Sequence, residues 1–352
     1  MKKICTFTLC LFAFALVGCN TPSFTTKTFS EMYLGAPVSV VMDTHDKSRA
    51  EYNKLFDGIQ AIFQELDNLL DPQDSDSDVY KFNALKAGES ITIDAATAEI
   101  VSAALKIGKI SGGAYDIAAY PLVDLWGFSP DKYGNENYEF APPSDDDIAE
   151  ILPLCSSDNL LLEGNTLKKL NYDGVKIDLG GIAKGYAVQK AAEYLRENGV
   201  ENGYISAGTS SIALLKYKEK EKWSFSVNHP RKNGLLFTMP TSDIYVSTSG
   251  DYERQYIYNG VTYCHILDPN TGKPIANGVM SVTILGNNSS YCDALSTALC
   301  VLGAENAKTF TEKYLQDYRV FIAYEKDGKN YLYSNVAKEN FTINDESYFY
   351  VN

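Results

Sequence analysis

The sequence predicts an α+β fold, mixed α/β in content, with antiparallel sheets and packed helices. Three observations predict it. Apolar residues recur at helical spacing over 47–70 and again over 95–111. Tyr258-Asn-Gly-Val261 is a type I′ hairpin signal between two alternating runs. Helices and hairpins are interleaved along the chain, which favours antiparallel sheets. At 352 residues and 45% hydrophobic content the chain can fill a substantial core. A formal charge of -14 argues against nucleic acid as a partner.

The first residues are not part of that fold. Lys2 and Lys3 precede an apolar run, Ile4 to Val17, too short to span a bilayer as a mature helix. Residues 1–18 therefore read as a secretory signal. Leu16-Val17-Gly18-Cys19 resembles the bacterial lipobox, which implies lipidation of Cys19; an ordinary cleavable signal is the plainer alternative. Acyl chains bind membranes through buried methylenes. The expectation is an exported lipoprotein, anchored to a bacterial membrane by its N-terminus and facing the periplasm or cell exterior. Residues 19–30 read as a linker, and 31–352 as one domain.

Tyr33 to Met42 alternates as a first strand, with Val38, Val40 and Met42 on one side. The Lys47–Leu70 helix follows, its core stripe running from Tyr52 through Phe63 to Leu70. The acidic stretch Asp74 to Asp78 lacks the glycine and distal Glu of a calcium loop and reads as solvated. Gly112-Gly-Ala-Tyr-Asp116 ends the second helix, and residues 129–144 read as a surface excursion. Val175 to Leu179 reads as a short strand before a helix over 183–198. Beyond it come a strand at Gly203–Ala207 and an antiparallel pair, Ile212–Tyr217 with Trp223–Asn228. Val279–Leu285 precedes helices at 290–302 and 306–316, then Val320–Tyr324 and a Lys326-Asp-Gly-Lys329 turn.

Four stretches carry residues suited to chemistry. In Asp178-Leu-Gly-Gly-Ile-Ala-Lys-Gly185, paired glycines meet a helix start, where unpaired N–H groups and Lys184 can hold an anion; a tight strand-to-helix turn explains the glycines equally. Ser247-Thr-Ser-Gly-Asp-Tyr-Glu-Arg254 offers hydroxyls and a glycine to phosphate or ribityl oxygens, or forms an ordinary turn. His265 stands beside an Asp268-Pro turn, as a structural residue or as a proton-transfer group whose usual pKa of about 6.5 suits neutrality. Asp293 and Thr297, four apart, share a helix face. An N-capping role explains Asp293 alone; the pair together makes a hard-oxygen site for Mg2+. Outside the signal, Cys155, Cys264, Cys292 and Cys300 lack Cys-x-x-Cys spacing, leaving disulfides or buried thiols.

Together these stretches resemble the FAD:protein FMN transferase (ApbE) family over about 33–324. The motifs are Gly113-Ala-Tyr-Asp116 with Pro121-Leu-Val-Asp-Leu-Trp-Gly-Phe128, Asp178 to Gly185, Thr248 to Arg254, His265-Ile-Leu-Asp-Pro-Asn-Thr-Gly272 and Asp293-Ala-Leu-Ser-Thr297. The resemblance implies an enzyme that moves FMN from FAD to a Ser or Thr hydroxyl of an acceptor protein, releasing AMP. It implies Mg2+ between Asp293, Thr297 and the Gly181 carbonyl. It places FAD at Ala114, Tyr115, Asp116, Asp178 and Lys184, and makes His265 the active-site histidine, with Asp293 sharing catalysis. Three departures touch the flavin or phosphate pocket: Ile117-Ala118, Gly208-Thr-Ser-Ser211 and Leu34-Gly35-Ala36 stand where the family usually has Pro-Thr, Gly-Gly-Asn/Asp and Met-Gly-Thr. Two rival functions remain: an FAD pyrophosphatase at the same site, with water as acceptor, and a flavin-binding or solute-binding lipoprotein without catalysis, which needs the pocket but neither His265 nor the Asp293–Thr297 pair.

Overall fold

The computed structural model describes residues 23–217 and 221–352. The signal and Cys19 lie outside the described residues. Its centre is a nine-stranded sheet whose spatial order follows chain order: Phe24–Tyr33, Ala36–Asp43, Gly203–Ala207, Ser211–Leu214, Ile244–Gly250, Val279–Gly286, Arg319–Lys326, Lys329–Ser334 and Tyr348–Val351. Each strand pairs antiparallel with the next except the last two, which are parallel. The mixed fold with antiparallel sheets is thus the one expected.

Strand periodicity assigns the faces. Val282, Ile284, Val320 and Ile322 point into the core shared with the long helices, where Leu55, Phe56, Ile59 and Phe63 meet Ala187, Ala191 and Leu299. Their neighbours Met280, Leu285, Phe321 and Ala323 face a second core with Trp223, Phe225, Phe237 and Met239. Val279–Gly286 is buried at all eight positions, as a strand covered on both faces must be. The second cover is a small sheet, Trp223–Asn228 and Leu235–Thr241 with Thr342–Ile343. A third core, around Trp126, Phe128, Ile148 and Leu267, lies apart from these two.

Several elements differ from expectation. Phe24–Tyr33 is a strand where a linker was expected, paired with Ala36–Asp43 through a turn at Leu34 and Gly35, both at positive φ. Residues 175–179 form no strand; Lys176 makes an isolated bridge to Ala119. Ser211–Leu214 and Trp223–Asn228 are in different sheets, so the expected pairing does not occur. The two helices expected at 290–302 and 306–316 are present as the two halves of Ser289–Tyr314, which breaks at Gly303, where φ 75° and ψ 160° are not helical. Asn277 Nδ2 accounts for the kink's loose carbonyls, donating to Cys300 at 2.9 Å and Val301 at 3.2 Å. The hairpin stands as read, with Asn259 and Gly260 at φ 48° and 79°. The four cysteines among the described residues are free and buried.

Candidate active site

The Gly180–Glu197 helix begins at the first of the paired glycines, and it lies against the Ser289–Tyr314 helix at Gly185. A Cβ on Gly185 would collide with the Ser289 carbonyl oxygen and sit 2.8 Å from Asp293 Cβ, so the approach needs glycine. The closeness lets the Gly185 N–H donate to Asp293 Oδ2 at 3.0 Å. The Ser211 hydroxyl donates to Oδ1 at 3.2 Å. Asp293 is only 5% exposed. Burial raises its pKa, opposed by the charge of Lys184 and by these two bonds. Both bonded partners are neutral, so among the described residues the buried charge has no hydrogen-bonded counter-ion. Nor is Asp293 the helix cap: Asn288 caps it, accepting from the Tyr291 N–H at 2.9 Å. Asp293 therefore reaches sideways to the neighbouring helix.

One turn on, Thr297 Oγ1 lies 3.1 Å from Ser249 Oγ, which is itself 2.7 Å from Ser296 Oγ. Ser249 comes from the Ile244–Gly250 strand, so sheet and helix both contribute hydroxyls beside the carboxylate. Across the first turn of the other helix stands Tyr115: a Cβ on Gly181 would be 3.1 Å from its ring. Tyr115 is buried, and burial followed by the charges of Asp293, Asp178 and Asp116 holds its hydroxyl well above the usual range. The structure thus brings together Tyr115, Gly181, Asp293 and Thr297. Among the described residues no three His, Cys, Asp or Glu side chains gather as metal ligands. A carboxylate, a hydroxyl and a nearby backbone carbonyl are nonetheless all hard oxygen donors. That donor set, with a buried carboxylate lacking a bonded cation, fits Mg2+, which takes few protein ligands and completes its shell with substrate oxygens and water.

The remaining expected residues have more settled positions. Asp116 Oδ1 accepts from the Ala118 N–H, and Oδ2 from the N–H and hydroxyl of Ser157. Burial raises its pKa against those bonds. Ala114 is buried in the adjoining glycine turn. Asp178 Oδ1 accepts from the Gly180 N–H at 2.9 Å, and Leu179 carbonyl accepts from Ile182 and Ala183. The helix start is therefore largely bonded by its own chain, as the tight-turn reading of the glycines has it. Lys184, in the second turn, donates to the Gly180 carbonyl at 3.0 Å. Its charge is felt by Asp293, Glu253 and His265.

His265 opens the other side. Its N–H donates to the Arg254 carbonyl at 3.0 Å, closing the base of the Gln255–Cys264 hairpin. Its ring stands edge-on to Phe128, centroids 6.3 Å apart. Burial and then the positive charges of Arg254 and Lys184 push its pKa down to about 4, against a raising contact with the Arg254 carbonyl. The expected titration near neutrality is thereby displaced. Among the described residues Nδ1 is buried without a hydrogen-bond partner.

Ser211, Ser249 and Arg254 were not singled out individually from sequence. A fully buried Ser211 in a strand is the kind of signal that a polar residue at a core position gives. Nor was the aromatic support evident. Residues 129–144 hold neither helix nor strand, yet Phe140 stacks on Tyr256 at 4.1 Å and Tyr133 meets it at 5.4 Å. The segment is a shelf under the hairpin rather than a free excursion.

A family model described as the ApbE family matches residues 34–322. An FAD:protein FMN transferase of Vibrio cholerae is 30% identical over 303 residues, covering 84% of this chain and 87% of the relative. One from Haemophilus influenzae is 30% identical over 272 residues, covering 75% of this chain and 77% of the relative. The solved flavin transferase ApbE from Vibrio cholerae superposes with a TM-score of 0.80 at 27% identity, covering 91% of this chain and 100% of that one. The ApbE protein from Thermotoga maritima gives 0.75 at 30% identity, with 85% and 94% covered.

Proposed function

The chain belongs to the ApbE family, and on that premise we propose that it moves FMN from FAD to a Ser or Thr hydroxyl of an acceptor protein, with Mg2+ and with release of AMP. Flavin transfer is the family's chemistry, and this chain is an enzyme of that kind acting on FAD and a protein. The finer reading rests on one observation: a carboxylate 5% exposed, bonded only to neutral donors, one turn from a hydroxyl that faces the same side.

In the proposed reaction the acceptor oxygen bonds to the flavin-side phosphorus as the pyrophosphate P–O bond breaks. The hydroxyl proton leaves, and AMP carries away the bonding pair. Asp293, Thr297 and the Gly181 carbonyl would hold Mg2+, which when bound neutralises charge on the pyrophosphate oxygens. Lys184 adds a fixed positive charge beside them. Positioned charge of this kind contributes most where charge develops in the transition state. His265, neutral at physiological pH, takes the hydroxyl proton at Nε2, the ring nitrogen other than the buried Nδ1, and its backbone bond to the Arg254 carbonyl fixes the main chain that carries the ring. Tyr115 packs against the helix start and excludes water from one side of the carboxylate.

We further propose export and lipid anchoring through Cys19, from the Leu16-Val17-Gly18-Cys19 match. Among the described residues no helix is long and apolar enough to cross a membrane. The function is tested by incubating the protein with FAD, Mg2+ and a candidate acceptor, followed by intact-mass measurement. Added FMN mass on the acceptor with AMP in solution supports transfer. Free FMN with AMP and an unmodified acceptor points to a pyrophosphatase, and intact FAD to a binder.

A further inference from the structure

We propose that Arg231, carried by the small sheet on the far side of the molecule, is a positioning residue for the active site. The proposal rests on the flavin-transfer reading above. Arg231 follows the Trp223–Asn228 strand, and its guanidinium bonds Asp251 through both nitrogens: Nη1 to Oδ1 at 2.7 Å and Nη2 to Oδ2 at 2.6 Å. Such two-point pairs fix orientation as well as distance. Asp251 is the first residue after the Ile244–Gly250 strand, the strand that brings Ser249 to Thr297. From Asp251 the chain runs to Arg254, whose carbonyl holds the His265 N–H at 3.0 Å. The Asp251 carbonyl also accepts from Gln255 Nε2 at 2.7 Å, closing the loop on itself. One guanidinium therefore anchors the segment that joins the hydroxyl side of the site to the histidine side.

The Arg231 end is itself built to hold still. His229 Nδ1 accepts from the N–H groups of Arg231 at 3.0 Å and Lys232 at 3.2 Å. The His229 N–H donates to the Gly234 carbonyl at 2.9 Å, and Arg231 Nη1 also reaches the Pro230 carbonyl at 3.3 Å. His229 Nε2 lies 3.0 Å from Asp345 Oδ2, both side chains at least nine-tenths buried. An exposed ion pair with no further role would need none of this, since pairs on the surface contribute little to stability.

The experiment is steady-state FMN transfer by the full-length protein, with FAD varied, on Arg231→Ala, Arg231→Lys, Asp251→Asn and the Arg231→Ala/Asp251→Asn pair. Small displacements of reacting groups carry large rate penalties. Arg231→Ala is expected to lower kcat about ten-fold, with KM for FAD within about two-fold of wild type. Its melting temperature should fall by no more than about 4 °C, as for a surface pair. Arg231→Lys restores part of kcat, and the double variant is no slower than the slower single one, because the two residues act through each other. A kcat within two-fold of wild type in Arg231→Ala overturns the proposal, and so do additive losses in the double variant. If Arg231→Ala does not fold, Arg231→Lys and Asp251→Asn carry the same comparison. A wild-type protein that transfers no FMN overturns the reading of function instead.

Discussion

The Asp293 side of the site is made by two helices pressed together at a glycine, whereas the His265 side hangs on aromatic rings and an ion pair. On the first side the backbones themselves are in contact, and Gly185 N–H is one of the carboxylate's ligands. On the second, Phe140, Tyr133 and Phe128 pack against Tyr256 of a hairpin that exposes Ile257, Tyr258 and Val261 around its tip. The difference teaches where precision is needed. On the proposed reading, a buried charge that holds a cation tolerates little movement, whereas a histidine that meets an incoming protein hydroxyl can stand on a part reached from outside.

Substitutions can break that contrast or sharpen it. The largest expected effect on stability is on the aromatic side: Phe128→Ala removes a 3% exposed ring and should cost about 3–5 kcal/mol by denaturant unfolding. Where the variant still folds, FAD binding should be close to normal while transfer falls. Equal loss of both would make the two sides one unit. Gly185→Ala should cost about 1–3 kcal/mol as the helices are forced apart, and abolish transfer with it. Retained activity there would mean that the helix contact is not what places Asp293. Lys184→Ala should weaken FAD binding by about 1–3 kcal/mol in a titration, the scale of a charge-assisted bond. Cys19→Ala should leave the protein without N-terminal acyl mass; a wild-type protein that itself lacks that mass ends the lipid-anchor reading.

A smaller effect concerns pH. His265 has its folded pKa lowered to about 4 from an ordinary 6.5. Between those values the unfolded chain binds more protons, so stability rises with pH and is lost as pH falls from about 6.5 toward 4. Replacing His265 with Asn should flatten that slope in thermal melts. The transfer rate of the free enzyme should likewise show no histidine inflection between about pH 6 and 8. An inflection there that disappears in His265→Asn would show the ring titrating near neutrality.

The two sides were also unequally legible. Asp293 and Thr297 are four apart on a helix, so periodicity alone placed them together, whereas Gly-Gly marked only a helix start and the family resemblance put Gly181 beside them. Strand alternation and the Asn259-Gly260 turn likewise announced the sheet and hairpin. What local pattern does not carry is which strand joins which sheet, so Trp223–Asn228 was paired wrongly with its sequence neighbour. At the helix start the sequence left an anion site and a tight turn both open, because helix N–H groups are unpaired by default; that Asp178 takes one of them is a contact two residues away that only the turn geometry decides. The aromatic shelf was hidden because residues 129–144 have no periodicity to read. The pKa of His265 depends first on burial and then on the charges of Arg254 and Lys184, the latter 81 positions upstream, and the fold alone sets all three.

The central claim is that Asp293 holds the metal that transfer needs, and one measurement tests it most directly. Transfer of FMN to an acceptor is followed for wild type, Thr297→Val and Asp293→Asn across a Mg2+ series, with circular dichroism on each variant. Asp293→Asn keeps the size and the Gly185 and Ser211 neighbours but removes the charge. It should lose transfer by about 100- to 1,000-fold, the scale for one preorganised charge contact, and be rescued poorly by added Mg2+. Thr297→Val should be slowed less and be partly rescued, since a neutral hydroxyl contributes less to a hard cation than a carboxylate. Near-normal transfer by a folded Asp293→Asn protein at limiting Mg2+ would contradict the assignment.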